Sequence, residues 1–240
     1  MKSPYAQVAV SVATPSSRRA GGLRALAAGL CLAASVFASA PAAASLVQNS
    51  FANGSIDVTV NRPSVSGQQT SAGGFTGVFN GSNFLSYCIE LAQQFSFGTN
   101  YTNYSVVPVA SAPNTSPMGA TQAMDLAKLV AAHFSGSFAS TTLTGAMQLA
   151  IWEIVYETSG TYGLTGGTFE VTSSNDAAAV AQANTWLAGL GNLTAMAPII
   201  ALGSADTQDF ITIIPVPPSL ALFAGGLLFG LWGVRRRAAV

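Results

Sequence analysis

Residues 75–91 read FTGVFNGSNFLSYCIEL. Two runs of aromatic and branched residues flank Asn80-Gly81. That dipeptide suits a two-residue hairpin turn, because both positions tolerate positive φ. The stretch predicts a pair of antiparallel strands over 75–79 and 84–91. Working outward, 55–62 alternates, with Ile56, Val58 and Val60 on one face and Asp57, Thr59 and Asn61 on the other. That is the pattern of a half-buried strand. On the C-terminal side 104–109 is a further strand, ended by Pro108 and the Ser/Pro-rich stretch 111–117.

The second half of the chain changes period. Ser116-Pro117 supplies an N-cap followed by proline at a first helical position, and predicts a helix over 118–133. Leu126, Leu129, Val130 and His133 form its stripe. A Ser/Gly loop over 135–140 separates it from a second helix, 143–158, capped by Thr142. There Leu143, Met147, Ala150, Ile151, Ile154 and Val155 recur at three- and four-residue spacings, and Glu153 and Glu157 read as a solvated acidic row. After a glycine-rich loop, 168–172 is a short strand, 176–190 a third helix stopped by Gly191, and 208–214 a last strand. No period of 20–50 residues repeats, which excludes a solenoid or propeller. The expected fold class is α+β: antiparallel sheet or sandwich elements flanking about three helices, with an N-terminal signal and a C-terminal transmembrane helix.

Charge is scarce and unevenly placed. Only 8% of the 240 residues are charged and the formal sum is zero, where a soluble domain carries about 25%. Four basic residues precede position 25, and Arg235, Arg236 and Arg237 stand near the end. Between them Arg62 and Lys128 face all nine acidic residues, so the body carries −7. A nucleic-acid partner is excluded, because no basic patch can neutralise phosphates.

Both ends read as addresses. A basic segment followed by an apolar run over 25–37 is the form of a secretory signal peptide. Ala38-Ser39-Ala40 is followed by Pro41, which blocks signal peptidase, so the cut is expected after Ala42-Ala43-Ala44 and the signal spans 1–44. Export by the Sec or the twin-arginine route is left open. At the other end, over 211–240, come Pro215, Val216, Pro217 and Pro218, an uncharged apolar run over 219–234, and the three arginines. Sixteen helical residues reach roughly 24 Å, just short of the usual span. The arginines would hold the C-terminus in the cytoplasm. From Pro215 on, the order of proline motif, apolar helix and basic cluster resembles the PEP-CTERM sorting signal of Gram-negative bacteria, with Val216 in place of the usual acidic residue. The resemblance implies processing by signal peptidase and exosortase. It also implies transient anchoring in the inner membrane, then release to the cell surface or extracellular matrix. A plain C-terminal anchor is the alternative.

With Cys31 removed in the signal, the body keeps one cysteine, Cys88. A lone thiol in an exported protein has three open fates: inert burial, an intermolecular disulfide, or nucleophilic chemistry. Tyr87-Cys88 on a strand, followed by Gln148-Leu149-Ala150-Ile151-Trp152 on a helix, resembles the thioester domains of bacterial surface adhesins. Met147 stands where that family often has Thr. The resemblance implies that residues 45–210 form an extracellular domain in which the Cys88 thiol condenses with the Gln148 side chain and ammonia leaves. An amine-bearing surface or matrix partner would then be captured as an amide at Gln148. Only enforced proximity and orientation, worth about 7–11 kcal/mol of the barrier, make such a condensation feasible. Tyr87 and Trp152 either shield the bond from water or simply pack the core.

His133 is the only histidine, and no orienting Asn or Asp accompanies it in a local hydrolase signature. One Cys and one His cannot fill a structural zinc site. Phosphate loop, dinucleotide fingerprint, serine elbow and calcium-loop spacings are all missing from the sequence. No cofactor, metal or enzymatic turnover is expected. The competing reading of the body is a non-covalent structural or carbohydrate-binding matrix protein.

Overall fold

A computed structural model describes residues 44–213. The predicted signal peptide, save Ala44, and the tail with Pro215, Pro217, Pro218 and Arg235 to Arg237 lie outside the described residues. Among the described residues no helix is long and apolar enough to cross a membrane.

The described chain is mixed α+β. Its strands are β1 (Ala44–Phe51), β2 (Ile56–Arg62), β3 (Val65–Ala72), β4 (Phe75–Phe79), β5 (Ser82–Cys88), β6 (Tyr101–Val107), β7 (Glu170–Ser174), β8 (Ile199–Gly203) and β9 (Phe210–Ile213). Its helices are α1 (Ala120–Ser137), α2 (Thr141–Tyr156) and α3 (Ala177–Gly189). The expected antiparallel pairing is present, but the larger sheet is not half of a sandwich. It closes as a barrel in the order β1-β4-β5-β9-β8-β6, because β6 pairs with both β1 and β8. A three-stranded sheet, β3-β2-β7, stands beside it.

The predicted hairpin forms. Asn80 and Gly81 both take positive φ, 49° and 81°, and Phe79 pairs with Ser82. That is the turn whose twist matches the strands it joins. The second strand starts at Ser82 and stops at Cys88, earlier at both ends than the hydrophobic run suggests. β2 buries Ile56, Val58 and Val60 as the alternation requires. Three strands carry no such alternation and escape sequence reading: β1, the polar β3 and β8. β1 includes Ala44, buried and paired with Tyr104. It therefore begins one residue ahead of the expected mature start.

The helix boundaries move for identifiable reasons. α1 starts at Ala120 after Gly119, whose φ of 86° breaks the chain direction, so Ser116-Pro117 does not cap it. It then continues into the first half of the predicted 135–140 loop and ends at Ser137, whose hydroxyl donates to Phe134 O at 2.7 Å. Ser140 caps α2, accepting from Leu143 N at 3.2 Å. Thr142, the expected cap, instead donates its hydroxyl to Asp176 Oδ2 at 2.7 Å. Asp176 in turn caps α3 through Ala179 N.

The main departure concerns α2. Every residue from Thr144 to Tyr156 is buried, because α1, α3, the β2–β3 sheet and β5 all pack on it. The row of Glu153 and Glu157 is therefore not solvated. The 158–168 loop folds over it and donates backbone amides to the carboxylates: Gly163 N to Glu153 Oε1, and Thr158 N, Ser159 N and Thr168 N to Glu157, all at 2.7–2.8 Å, while Glu153 Oε2 stays buried without a partner. Burial pushes the Glu153 carboxyl up to about 8. Burial acts on Glu157 too, but its donors outweigh it and hold that carboxyl down at about 2.

Candidate functional site

Cys88 is the last residue of β5, and its ladder geometry explains what surrounds it. It lies opposite Phe210 of β9, but the bond at that point runs from Ile89 N to Asp209 O. The N–H and C=O of Cys88 itself must therefore point to the other side, toward β4. β4 pairs with β5 only as far as Ser86, opposite Phe75. Two buried backbone groups would be left without partners, at a cost of about 1–3 kcal/mol each. Gln148 supplies both. Its Oε1 accepts from Cys88 N at 3.0 Å and its Nε2 donates to Cys88 O at 2.7 Å. The side-chain amide stands where a strand's peptide would have stood.

The two residues singled out from sequence are thus brought together, both fully buried. The Cys88 thiol donates to Glu90 O, and Glu90 N donates back to the sulfur at 3.3 Å. Burial pushes the thiol well above its ordinary range, and the carboxylates of Glu90 and Asp209 add to the rise. The resting sulfur is accordingly a neutral thiol.

Trp152, one turn beyond Gln148, reaches the same place. With Cys88 it lines a cleft of about 200 Å³ whose walls carry Phe51, Phe75, Phe95 and Phe97. Those four rings pack in a continuous chain with centroids 5.0–5.3 Å apart. Thr70, Ser71, Gln94 and Gln208 are the polar lining, and no charged residue joins them. Tyr87 does not belong to this cleft. Adjacent strand residues point to opposite faces, so Tyr87 faces α1. Its hydroxyl meets Ser137 Oγ at 2.6 Å and its ring packs on Phe134 and Phe138. Its role there is core packing.

Behind the sulfur lie two buried carboxylates that sequence reading missed. Asp209 N donates to Glu90 Oε2 at 3.3 Å, and Thr115 Oγ1 donates to Glu90 Oε1. Asp209 holds Ser204 N at 2.8 Å and Asn114 N at 2.6 Å. Burial raises both carboxyls above the usual range. No local motif announces this pair, since its members stand 119 residues apart. The aromatic walls did leave a signal, the alternation of Phe95 and Phe97 within a polar loop.

His133 takes no part. It stacks on Trp186 at 4.6 Å, and burial lowers its pKa. Among the described residues no group of three or more His, Cys, Asp or Glu could hold a metal ion. Comparison with known protein families, curated proteins and solved structures finds no match for this chain.

Proposed function

We propose that this is an exported, surface- or matrix-sorted protein in which Cys88 and Gln148 form an internal thioester that captures an amine-bearing partner. The observation that carries the reading is the pairing of the Gln148 amide with the main chain of Cys88, a residue that itself lines an aromatic cleft. A thiol and an amide react only when held together, and a thioester lasts only where water is kept away. The packed β5–α2 contact supports the first condition and the phenylalanine walls support the second. The function is one covalent capture per molecule, not turnover. Export and sorting rest on the sequence of the two ends, processed by signal peptidase and exosortase.

Intact mass tests the reading. Fresh mature protein is expected to weigh one ammonia less than its sequence, and methylamine should bring the mass to the full value plus one CH2, a methyl standing in place of an amide hydrogen. A full mass in untreated protein overturns the thioester. Replacing Arg235, Arg236 and Arg237 by Ala tests the sorting: the protein should fail to reach its normal surface destination.

One observation favours a second reading, non-covalent binding of a polar ligand such as a carbohydrate. The outer face of the β3-β2-β7 sheet carries a groove of about 540 Å³ lined by Asp57, Thr59, Gln69, Ser71, Ser173 and Asn175. If Cys88→Ala leaves attachment intact while Asp57→Ala abolishes it, this reading replaces the first.

A further inference from the structure

Trp152 holds a buried hydrogen-bond donor that the resting site leaves without an acceptor. The residue is 1% exposed and its Nε1–H has no hydrogen-bond partner. Buried indole N–H groups ordinarily find an acceptor, and leaving one unmet costs about 1–3 kcal/mol. Trp152 and Cys88 line the same cleft, and the indole N–H lies near enough to the sulfur to favour its charged form, without closing a hydrogen bond of normal geometry. A second donor converges on the same atom, the Glu90 main-chain amide at 3.3 Å. Two N–H groups beside one sulfur make a poor arrangement for a thiol, which is a weak acceptor. They suit a thiolate, because hydrogen bonds to an ion are roughly twice as strong as those between neutral groups.

We propose that Trp152 is the hydrogen-bond donor that stabilises Cys88 as a thiolate, acting with Glu90 N–H whenever the sulfur carries charge. The chemical use of this donor rests on the thioester reading and arises twice. In formation, the thiolate attacks Gln148 Cδ, the C–S bond forms, the C–N bond breaks, and nitrogen leaves as ammonia with the thiol's proton. In capture, a primary amine attacks the same carbon, the C–N bond forms, and the C–S bond breaks. The electron pair returns to sulfur, which finally takes the proton the amine loses. Burial, Glu90 and Asp209 oppose negative charge on the sulfur in both steps, and the two N–H donors are what offsets them.

The test replaces the donor without its shape. Benzothienylalanine at position 152 puts sulfur where the indole has N–H, and Trp152→Phe serves as a second variant. All proteins are first treated with methylamine, so that Cys88 is free whether or not a thioester ever formed. Alkylation of Cys88 by iodoacetamide is then followed as a function of pH. Both variants should react about tenfold or more slowly than the parent at the same pH, the size of a hydrogen bond to a charged group. Equal rates for the benzothienyl variant, whose access to the sulfur is unchanged, overturn the proposal. The ammonia deficit of the untreated parent is read separately. A full mass with slowed alkylation sinks the thioester and leaves the Trp152 assignment standing, whereas a mass deficit with unchanged alkylation does the reverse.

Discussion

Opening the cross-link in the folded protein should cost it a calculable share of its stability. Cys88 and Gln148 are 60 residues apart. If the thioester restricts the unfolded chain as a disulfide does, closing a loop of that length contributes about 4 kcal/mol. For a domain of this size that is about 8–16 °C in Tm. Methylamine removes the bond and leaves every other side chain in place, so treated and untreated protein differ by this amount and little else. Cys88→Ala loses the same cross-link plus about 1 kcal/mol of packing. Gln148→Ala loses the cross-link and also both partners of the Cys88 main chain, adding about 2–6 kcal/mol. The order of Tm should therefore be untreated, methylamine-treated, Cys88→Ala, Gln148→Ala. Calorimetry with intact mass on the same samples provides the assay. If methylamine and Cys88→Ala each move Tm by no more than the packing share, the cross-link is refuted. A large loss confined to Gln148→Ala would then assign that residue to satisfying the strand end alone.

Further expectations concern the helix that carries Gln148. Glu153 has its folded pKa raised to about 8, so its favourable share is fully present below about pH 4.5 and is lost as pH rises through 8. Glu153→Gln should flatten the fall between about pH 4.5 and 8 in a urea-unfolding series against pH. Glu157 is depressed to about 2, so its share is present above about pH 4.5 and disappears as pH falls toward 2. Glu157→Gln should flatten the acid limb instead. Gly167→Ala drives a Cβ into Glu157 Oε2 at a φ of 96° and should cost about 3 kcal/mol or more. Gly81→Ala meets open space and only an unfavourable φ of 81°, so about 1 kcal/mol is expected in the same thermal melts.

Legibility followed the range of the interactions. The Asn80-Gly81 hairpin, the alternation of β2 and the existence of three helices could be read because each is a local property. Caps were harder. Ser116-Pro117 and Thr142 have the right chemistry for starting a helix, but Gly119 and Ser140 occupy the positions where the chain turns in. The acidic row of α2 was misread because a helix's own period shows which residues share a face, not what covers it. The glycine-rich loop after Tyr156 supplied the donors that allow Glu153 and Glu157 to be buried.

At the site the division is similar. Cys88 and Gln148 stand out in the sequence by residue type and neighbours, and their pairing was an expectation of chemistry. The sequence by itself determined that Cys88 lies on the second strand of a hairpin, that Gln148 and Trp152 share one face of a helix, and that the body is nearly free of basic groups. Only the tertiary structure decided that β4 ends before Cys88, so that a helix side chain completes the ladder there. It alone turned Tyr87 away, closed the barrel through β6, and brought Glu90, Asp209 and the four phenylalanines around the sulfur. Strand and helix periods are set between near neighbours in the chain. Around Cys88 near neighbours such as Glu90 are joined by groups far along the chain, Gln148 at 60 positions and Asp209, which meets Glu90 across 119, and no local pattern encodes those contacts.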